Sequence, residues 1–162
     1  MAAETRVFKP RRPSRTPAGV AAKGVGSEAF RRLGIVHERA DLVKQIHQGF
    51  RVAVIEKLAD ELGVTQNTLL RVTKIAPATL TRRRKSSSGL LSPEESDRVY
   101  RVAAAYRSAL QLFEGEAESA RRWLSEPAKA LGGDSPLQHL DTEAGAAEVR
   151  DLIGRLEHGV YT

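Results

Sequence analysis

The stretch from 65 to 85, TQNTLLRVTKIAPATLTRRRK, decides how this chain folds. It reads as two short helical segments on either side of a tight turn around Lys74 to Ala76. Thr65 can cap the first segment, whose Leu69, Leu70 and Val72 face inward. Ile75 follows it, and Pro77 suits the first position of the second segment, where a missing N–H costs no intrahelical bond. That second segment runs through Thr79, Leu80, Thr81, Arg82, Arg83, Arg84 and Lys85, with Leu80 as its buried side. A helix fits the major groove of duplex DNA, and hydroxyl and guanidinium groups near its exposed face can reach base edges and phosphates. The candidate DNA-binding residues are therefore Thr79, Thr81, Arg82, Arg83, Arg84 and Lys85. The three arginines point three ways around the axis, so most of them should position the helix rather than read bases. The competing reading is a solvated helix end whose cations sit at the negative pole of the dipole. Net charge, helix length and turn placement are separate features, and together they favour nucleic acid.

Outward from this stretch the apolar spacing stays helical. Leu42, Val43 and Ile46 mark a segment ending at Gly49, and Val54, Ile55, Leu58 and Leu62 mark another ending at Gly63. Ser86, Ser87, Ser88 and Gly89 then interrupt the pattern. Ser92, Pro93 and Glu95 form a strong helix start, with a hydroxyl for the cap, proline at the first position and a glutamate completing a capping box. Val99, Val102, Ala103, Tyr106, Leu110 and Phe113 predict a long helix from there to about Gly115. Glu116 to Leu124, Pro136 to Leu140 and Thr142 to about Glu157 predict three more, the last with Val149, Leu152, Ile153 and Leu156 inward and Gly159 as its stop. No run alternates in the manner of a strand and no repeat recurs, so the expected class is all-α.

Charge divides the chain. Residues 1 to 106 hold 20 Lys or Arg and 10 Asp or Glu, a balance of +10, whereas residues 107 to 162 hold 6 and 10, a balance of −4. A basic half is drawn to polyanions through phosphate contacts and counterion release, and an acidic half is repelled by them. One surface should face nucleic acid and the other a protein. The segment 1–40, with Lys9, Arg11, Arg12, Arg15 and Lys23 among Pro10, Pro13 and Pro17, has few apolar side chains spaced to make a face. It reads as a largely disordered basic arm that would lie along DNA phosphate.

Other function classes find little support. There is no cysteine, so neither a disulfide framework nor a thiolate metal site is expected, which suits a reducing cytoplasm. Apolar runs fall short of the roughly 20 residues a membrane helix needs. His37, His47, His139 and His158 lie in separate segments without catalytic or metal-ligand spacing, and no glycine-rich phosphate loop is present, so catalysis, metal and cofactor are not expected. Single-stranded RNA recognition would want aromatic stacking platforms that the chain lacks. Trp123, beside Leu124, can anchor a small core or an interface, and core is the commoner fate of so large an apolar side chain.

From about residue 50 onward the chain resembles the Xre-type antitoxins, whose C-terminal domain is shared with MbcA and ParS-like proteins. The resemblance rests first on Leu80 with Arg82-Arg83 and on Leu91-Ser92-Pro93-Glu94-Glu95-Ser96-Asp97-Arg98. In the second half it rests on Leu112-Phe113, Ala120, Trp123-Leu124, Pro127, Leu131-Gly132-Gly133, Pro136-Leu137, Leu140, Thr142, Gly145, Val149, Leu152 and Gly159. Together these motifs are specific, although each alone is weak. The resemblance implies a helix-turn-helix DNA-binding and dimerisation domain over 41–106 and a small helical toxin-binding domain over 107–162. It further implies a homodimer that binds a RES-domain toxin, blocks that toxin's consumption of NAD and represses its own operon. Toxin contact would then fall on Trp123, Leu152, Arg155, Leu156, Glu157, Val160, Tyr161 and Thr162, with Glu157 facing a toxin arginine and Tyr161 plugging a pocket. The alternative is a stand-alone helix-turn-helix transcriptional regulator.

Overall fold

Ser92 and Glu95 start the helix around which the others pack. The Ser92 hydroxyl accepts from the Glu95 amide at 3.2 Å while Glu95 Oε2 accepts from the Ser92 amide at 2.7 Å, closing the capping box. In the computed structural model, which describes residues 21–159, the helices run in chain order as α1 (Ala21–Leu33), α2 (Arg39–Gln48), α3 (Ala53–Leu62), α4 (Gln66–Val72), α5 (Pro77–Lys85), α6 (Pro93–Leu112), α7 (Ala117–Ser125), α8 (Pro136–His139) and α9 (Glu143–Glu157). A 3-10 turn, Lys129–Leu131, lies between α7 and α8. Val99, Val102, Ala103, Tyr106, Ala109 and Leu110 are buried on α6 at helical spacing. Through them α6 packs against α1, α2 and α3 of the basic half and against α7 and α9 of the acidic half. A single continuous apolar core results, reaching from Ala29 to Ile153.

The all-α architecture expected from the sequence is present, with no strand among the described residues and one isolated antiparallel bridge between Arg51 and Leu90. The segment expected to be a disordered arm departs from that reading. Its residues 21–33 form α1, with Ala29, Phe30 and Leu33 buried. Phe30 meets the edge of Tyr100, and the Arg107 guanidinium stacks 4.4 Å over its ring. Few apolar residues sufficed because Gly26 lets the helix close on Arg107, and Val25 lies against Gly115, a positive-φ glycine shortly after α6. The basic residues Lys9, Arg11, Arg12 and Arg15 lie outside the described residues, as do Val160, Tyr161 and Thr162.

Two successive turns share one hydrogen-bond pattern. After α3 the Val64 amide reaches back to the Ala59 carbonyl, and after α4 the Ile75 amide reaches back to Leu70, each at 3.0 Å. Gly63 supplies the left-handed residue of the first, and Lys74, at φ 54°, that of the second. Thr65 caps α4 through its hydroxyl, and Pro77 opens α5.

Ion pairs and polar contacts then join the two halves. Arg121 of α7 donates to the Glu61 carbonyl at 2.6 Å, Lys74 pairs with Asp141 at 2.9 Å, and Arg101 of α6 pairs with Glu143 of α9 at 3.1 Å. The Glu61 carboxylate receives Arg32 from α1 at 2.6 and 3.1 Å and the Tyr106 hydroxyl at 3.1 Å. The Arg32 bonds hold the Glu61 carboxyl below the usual glutamate range, helped by Tyr106 and opposed by partial burial. Burial in turn pushes the Tyr106 phenol up.

Two sets of variants test this packing. A Cβ on Gly145 would sit 1.9 Å from the His139 carbonyl oxygen, so Gly145→Ala should lower stability by about 1–3 kcal/mol. Nothing crowds Gly154 inside α9, so Gly154→Ala should raise it by about 0.5–1 kcal/mol; thermal unfolding of the two variants reads both signs. Because the folded Glu61 carboxyl is depressed, its contribution is full above the ordinary glutamate range and disappears as pH falls through the folded value. Glu61→Gln should therefore lower the melting temperature at neutral pH and show a shallower loss on titration into acid; a parallel acid limb would show that the carboxylate is not what holds this junction.

Candidate nucleic-acid and protein interfaces

Helix α5 is short, strongly basic and anchored by one apolar side chain, Leu80, which is 2% exposed. With Leu80 turned inward, helical geometry fixes where the other side chains go. Arg83 falls on the inner flank, where its Nε is buried and lies 3.3 Å from Glu95 Oε2 without aligned hydrogen-bond geometry, an ion pair. Arg84 falls on the other inner flank and donates to Gln66 Oε1 of α4 at 2.9 Å. Thr79 is half-buried. Thr81 is exposed, yet its hydroxyl donates to the Pro77 carbonyl at 3.1 Å, which commits its proton to its own helix. Ala78, Thr81, Arg82, Lys85 and Ser86 line an open groove on the outer face. Arg82 and Lys85 are exposed there, with no hydrogen-bond or ion-pair partner among the described residues.

The six residues singled out on α5 therefore divide. Arg82, Lys85 and Thr81 share the outward face, Arg84 is braced at its edge, Thr79 is partly covered, and Arg83 is turned to a carboxylate of the protein itself. Of the three arginines, Arg83 is the one tied to a buried carboxylate, and its side chain remains partly exposed. Ala78 was missed by the sequence reading. Its position one helical turn before Thr81 and Arg82, on the same stripe, was the available signal.

In the acidic half, Trp123 and Leu152 are each 9% exposed and belong to the core. Trp123 lies 6.4 Å, ring to ring, from Phe113. Leu152 is buried with Val149 and Ile153 on the inner stripe of α9, so neither side chain offers more than an edge to a partner. Leu156 is half-buried against that core, whereas Arg155 and Glu157 are exposed at the end of α9. Val160, Tyr161 and Thr162 lie beyond the described residues. The exposed rim carries Glu143, which takes Arg150 at 2.8 Å as well as Arg101, and Glu148, which meets His139 Nε2 at 2.8 Å. Arg150 and Arg101 hold the Glu143 carboxyl low. Among the described residues no group of three His, Cys, Asp or Glu could hold a metal ion, and no helix is long and apolar enough to cross a membrane.

Comparison with known proteins finds two family domains in chain order. Residues 41–104 match the antitoxin Xre-like helix-turn-helix domain, and residues 108–159 match the antitoxin Xre/MbcA/ParS C-terminal toxin-binding domain. The chain is 42% identical over 134 residues to the Antitoxin Xre of Yersinia enterocolitica serotype O:8, covering 82% of this chain and 90% of that protein. It is 33% identical over 117 residues to the Antitoxin Xre of Photorhabdus laumondii, covering 72% and 78%. A Sphingobium protein named Prs ADP-ribosylating antitoxin is 24% identical, over 86% of this chain and 93% of its own length.

The sorting of the arginines gives a direct expectation. Arg83→Ala leaves the buried Glu95 carboxylate without its cation and should cost about 1–3 kcal/mol, seen as a lower melting temperature. Arg82→Ala should leave the stability unchanged within about 0.5 kcal/mol, and the melting temperature nearly unchanged. Equal melting temperatures for the two variants would place Arg83 among the free surface cations.

Proposed function

The chain belongs to the Xre antitoxin family, and on that premise we propose that it neutralises a NAD-consuming RES-domain toxin through its acidic half while repressing its own operon through α5. The carrying observation is that both domains of the family are present in order and that α5 holds Arg82 and Lys85 on an open face, unpaired among the described residues. Those two cations, with the Thr81 and Ala78 methyl groups beside them, have the chemistry for phosphate and for the thymine methyl in a major groove. Arg84, steadied by Gln66, adds a third cation at the edge. We divide the chain accordingly, with 41–106 for DNA and dimerisation and 107–162 for the toxin, and take the active form to be a homodimer whose two α5 helices meet successive half-sites.

On the toxin side the proposal uses the exposed end of α9, Arg155 and Glu157, with Leu156 beside them. Continuing into Val160, Tyr161 and Thr162, this end would close the toxin's active site. The inward placement of Trp123 and Leu152 makes them supports for that surface. A relative named for ADP-ribosylation favours a partner that works on NAD, because ADP-ribosyl groups are drawn from it.

Co-expression with the product of the adjacent gene tests the pairing. The two should co-purify, and deletion of residues 157–162 should restore NAD loss by the toxin in a reconstituted mixture. Inhibition that survives the deletion removes the end of α9 from the mechanism, and a chain that purifies alone is a stand-alone regulator instead.

A further inference from the structure

The segment between α2 and α3 is bonded to the segment that follows α5. The Leu91 amide donates to the Phe50 carbonyl at 2.8 Å and the Val52 amide to the Gly89 carbonyl at 3.0 Å, flanking the antiparallel pair Arg51 and Leu90. Gly49 permits that approach, since a Cβ there would lie 2.1 Å from the Leu91 carbonyl oxygen. The Phe50 amide is fixed as well, donating to the Ser96 hydroxyl at 2.8 Å.

From the other direction, the Ser86 amide closes the last turn of α5 on the carbonyls of Arg82 and Arg83. The Gly89 amide then donates back to the Ser86 carbonyl at 3.2 Å and its hydroxyl at 3.3 Å. An unbroken run of hydrogen bonds thus leads from the cationic end of α5 to Val52, and Arg51 is held beside that end without belonging to the helix. Side chains alternate along extended backbone. Phe50 and Leu91 are buried, so the paired residues Arg51 and Leu90 turn away from the core.

The Arg51 side chain is exposed and has no hydrogen-bond, ion-pair or ring partner among the described residues. The fold gains nothing from its charge, for it stands two residues before α3, at the positive end of that helix dipole, where a cation is disfavoured. Arg32, Arg83, Arg84, Arg98 and Arg101, by contrast, are all engaged within the chain.

We propose that Arg51 is a phosphate contact, extending the DNA surface past the C-terminal end of α5 to grip the strand that runs by Lys85 and Ser86. This rests on the reading of α5 as a groove-binding helix. The hydroxyls of Ser87 and Ser88, exposed in the connecting loop, lie along the same path. A contact of this kind carries affinity and salt dependence without base preference.

The test is a salt titration of the full-length chain on the duplex immediately upstream of its own reading frame, comparing wild type with Arg51→Ala, Arg51→Lys, Arg82→Ala with Lys85→Ala, and the remote Arg122→Ala. Arg51→Ala should weaken binding several-fold and flatten the slope of log affinity against log salt by about 0.9 for each bound chain. Arg51→Lys should restore most of the slope, Arg122→Ala should leave it unchanged, and melting temperatures should match throughout. A wild-type slope for Arg51→Ala, when the α5 double variant flattens it, overturns the Arg51 contact and leaves α5 standing. A wild-type slope for both overturns the groove reading of α5, and the inference with it.

Discussion

One buried carboxylate sets the geometry on which the nucleic-acid surface depends. Glu95 is 8% exposed, and its Oε2 both closes the capping box of α6 and faces Arg83 of α5. A carboxylate removed from water is costly without compensation, so the cap amide and the guanidinium stabilise it together. Because α5 has only Leu80 as an apolar anchor, rotation about its own axis is poorly fixed by packing. Arg83 on one flank and Arg84 on the other, bonded to Gln66 of α4, settle that rotation. The outward stripe of Ala78, Thr81, Arg82 and Lys85 is what remains once those two arginines are committed.

Charge thus does two kinds of work that composition cannot separate. The balance of +10 over residues 1 to 106 suggests a broad cationic front. Within the fold, Arg32 is held by Glu61, Arg83 by Glu95, Lys74 by Asp141 and Arg101 by Glu143. The last two pairs cross between the halves, so part of the division in sign is consumed in holding the halves together. Most of these pairs are partly exposed, and each adds only a fraction of the stability that the shared core supplies. Their larger effect is orientation.

Much of the helical architecture was legible because it is written in local chemistry. Ser92, Pro93 and Glu95 announce α6, Pro77 announces α5 and Thr65 announces α4, each through backbone groups that need a partner at a helix end. Apolar spacing then assigned the inner stripes of α3, α6 and α9. What the sequence hid depends on distant contacts. Helix α1 is poor in apolar residues, and its order comes from Arg107, Tyr100 and the close approach at Gly26 and Gly115. Arg83 is one of four consecutive cations; its spacing from Leu80 turns it inward, but the carboxylate it meets there, Glu95, is found only in space. The bridge at Arg51 joins residues far apart in the chain, and Gly49, which permits it, reads in sequence only as a helix stop.

The turn between α4 and α5 shows how closely the two halves are built on each other. Lys74 occupies a left-handed conformation that costs an L-residue roughly 1–2 kcal/mol, where the matching turn after α3 uses glycine. Glycine would remove that strain but also the ammonium that reaches Asp141, in the turn between α8 and α9. The adjoining Thr73 is buried, with its carbonyl accepting from Arg98 of α6 at 2.7 Å and its hydroxyl donating to Leu69. The turn that aims α5 is therefore held from α6 and from the acidic half at once. A side chain that strains the turn and bonds the opposite half makes sense where the orientation of α5 must be fixed relative to the protein-binding face. Those bonds give the acidic half a direct mechanical connection to the helix that carries Arg82 and Lys85.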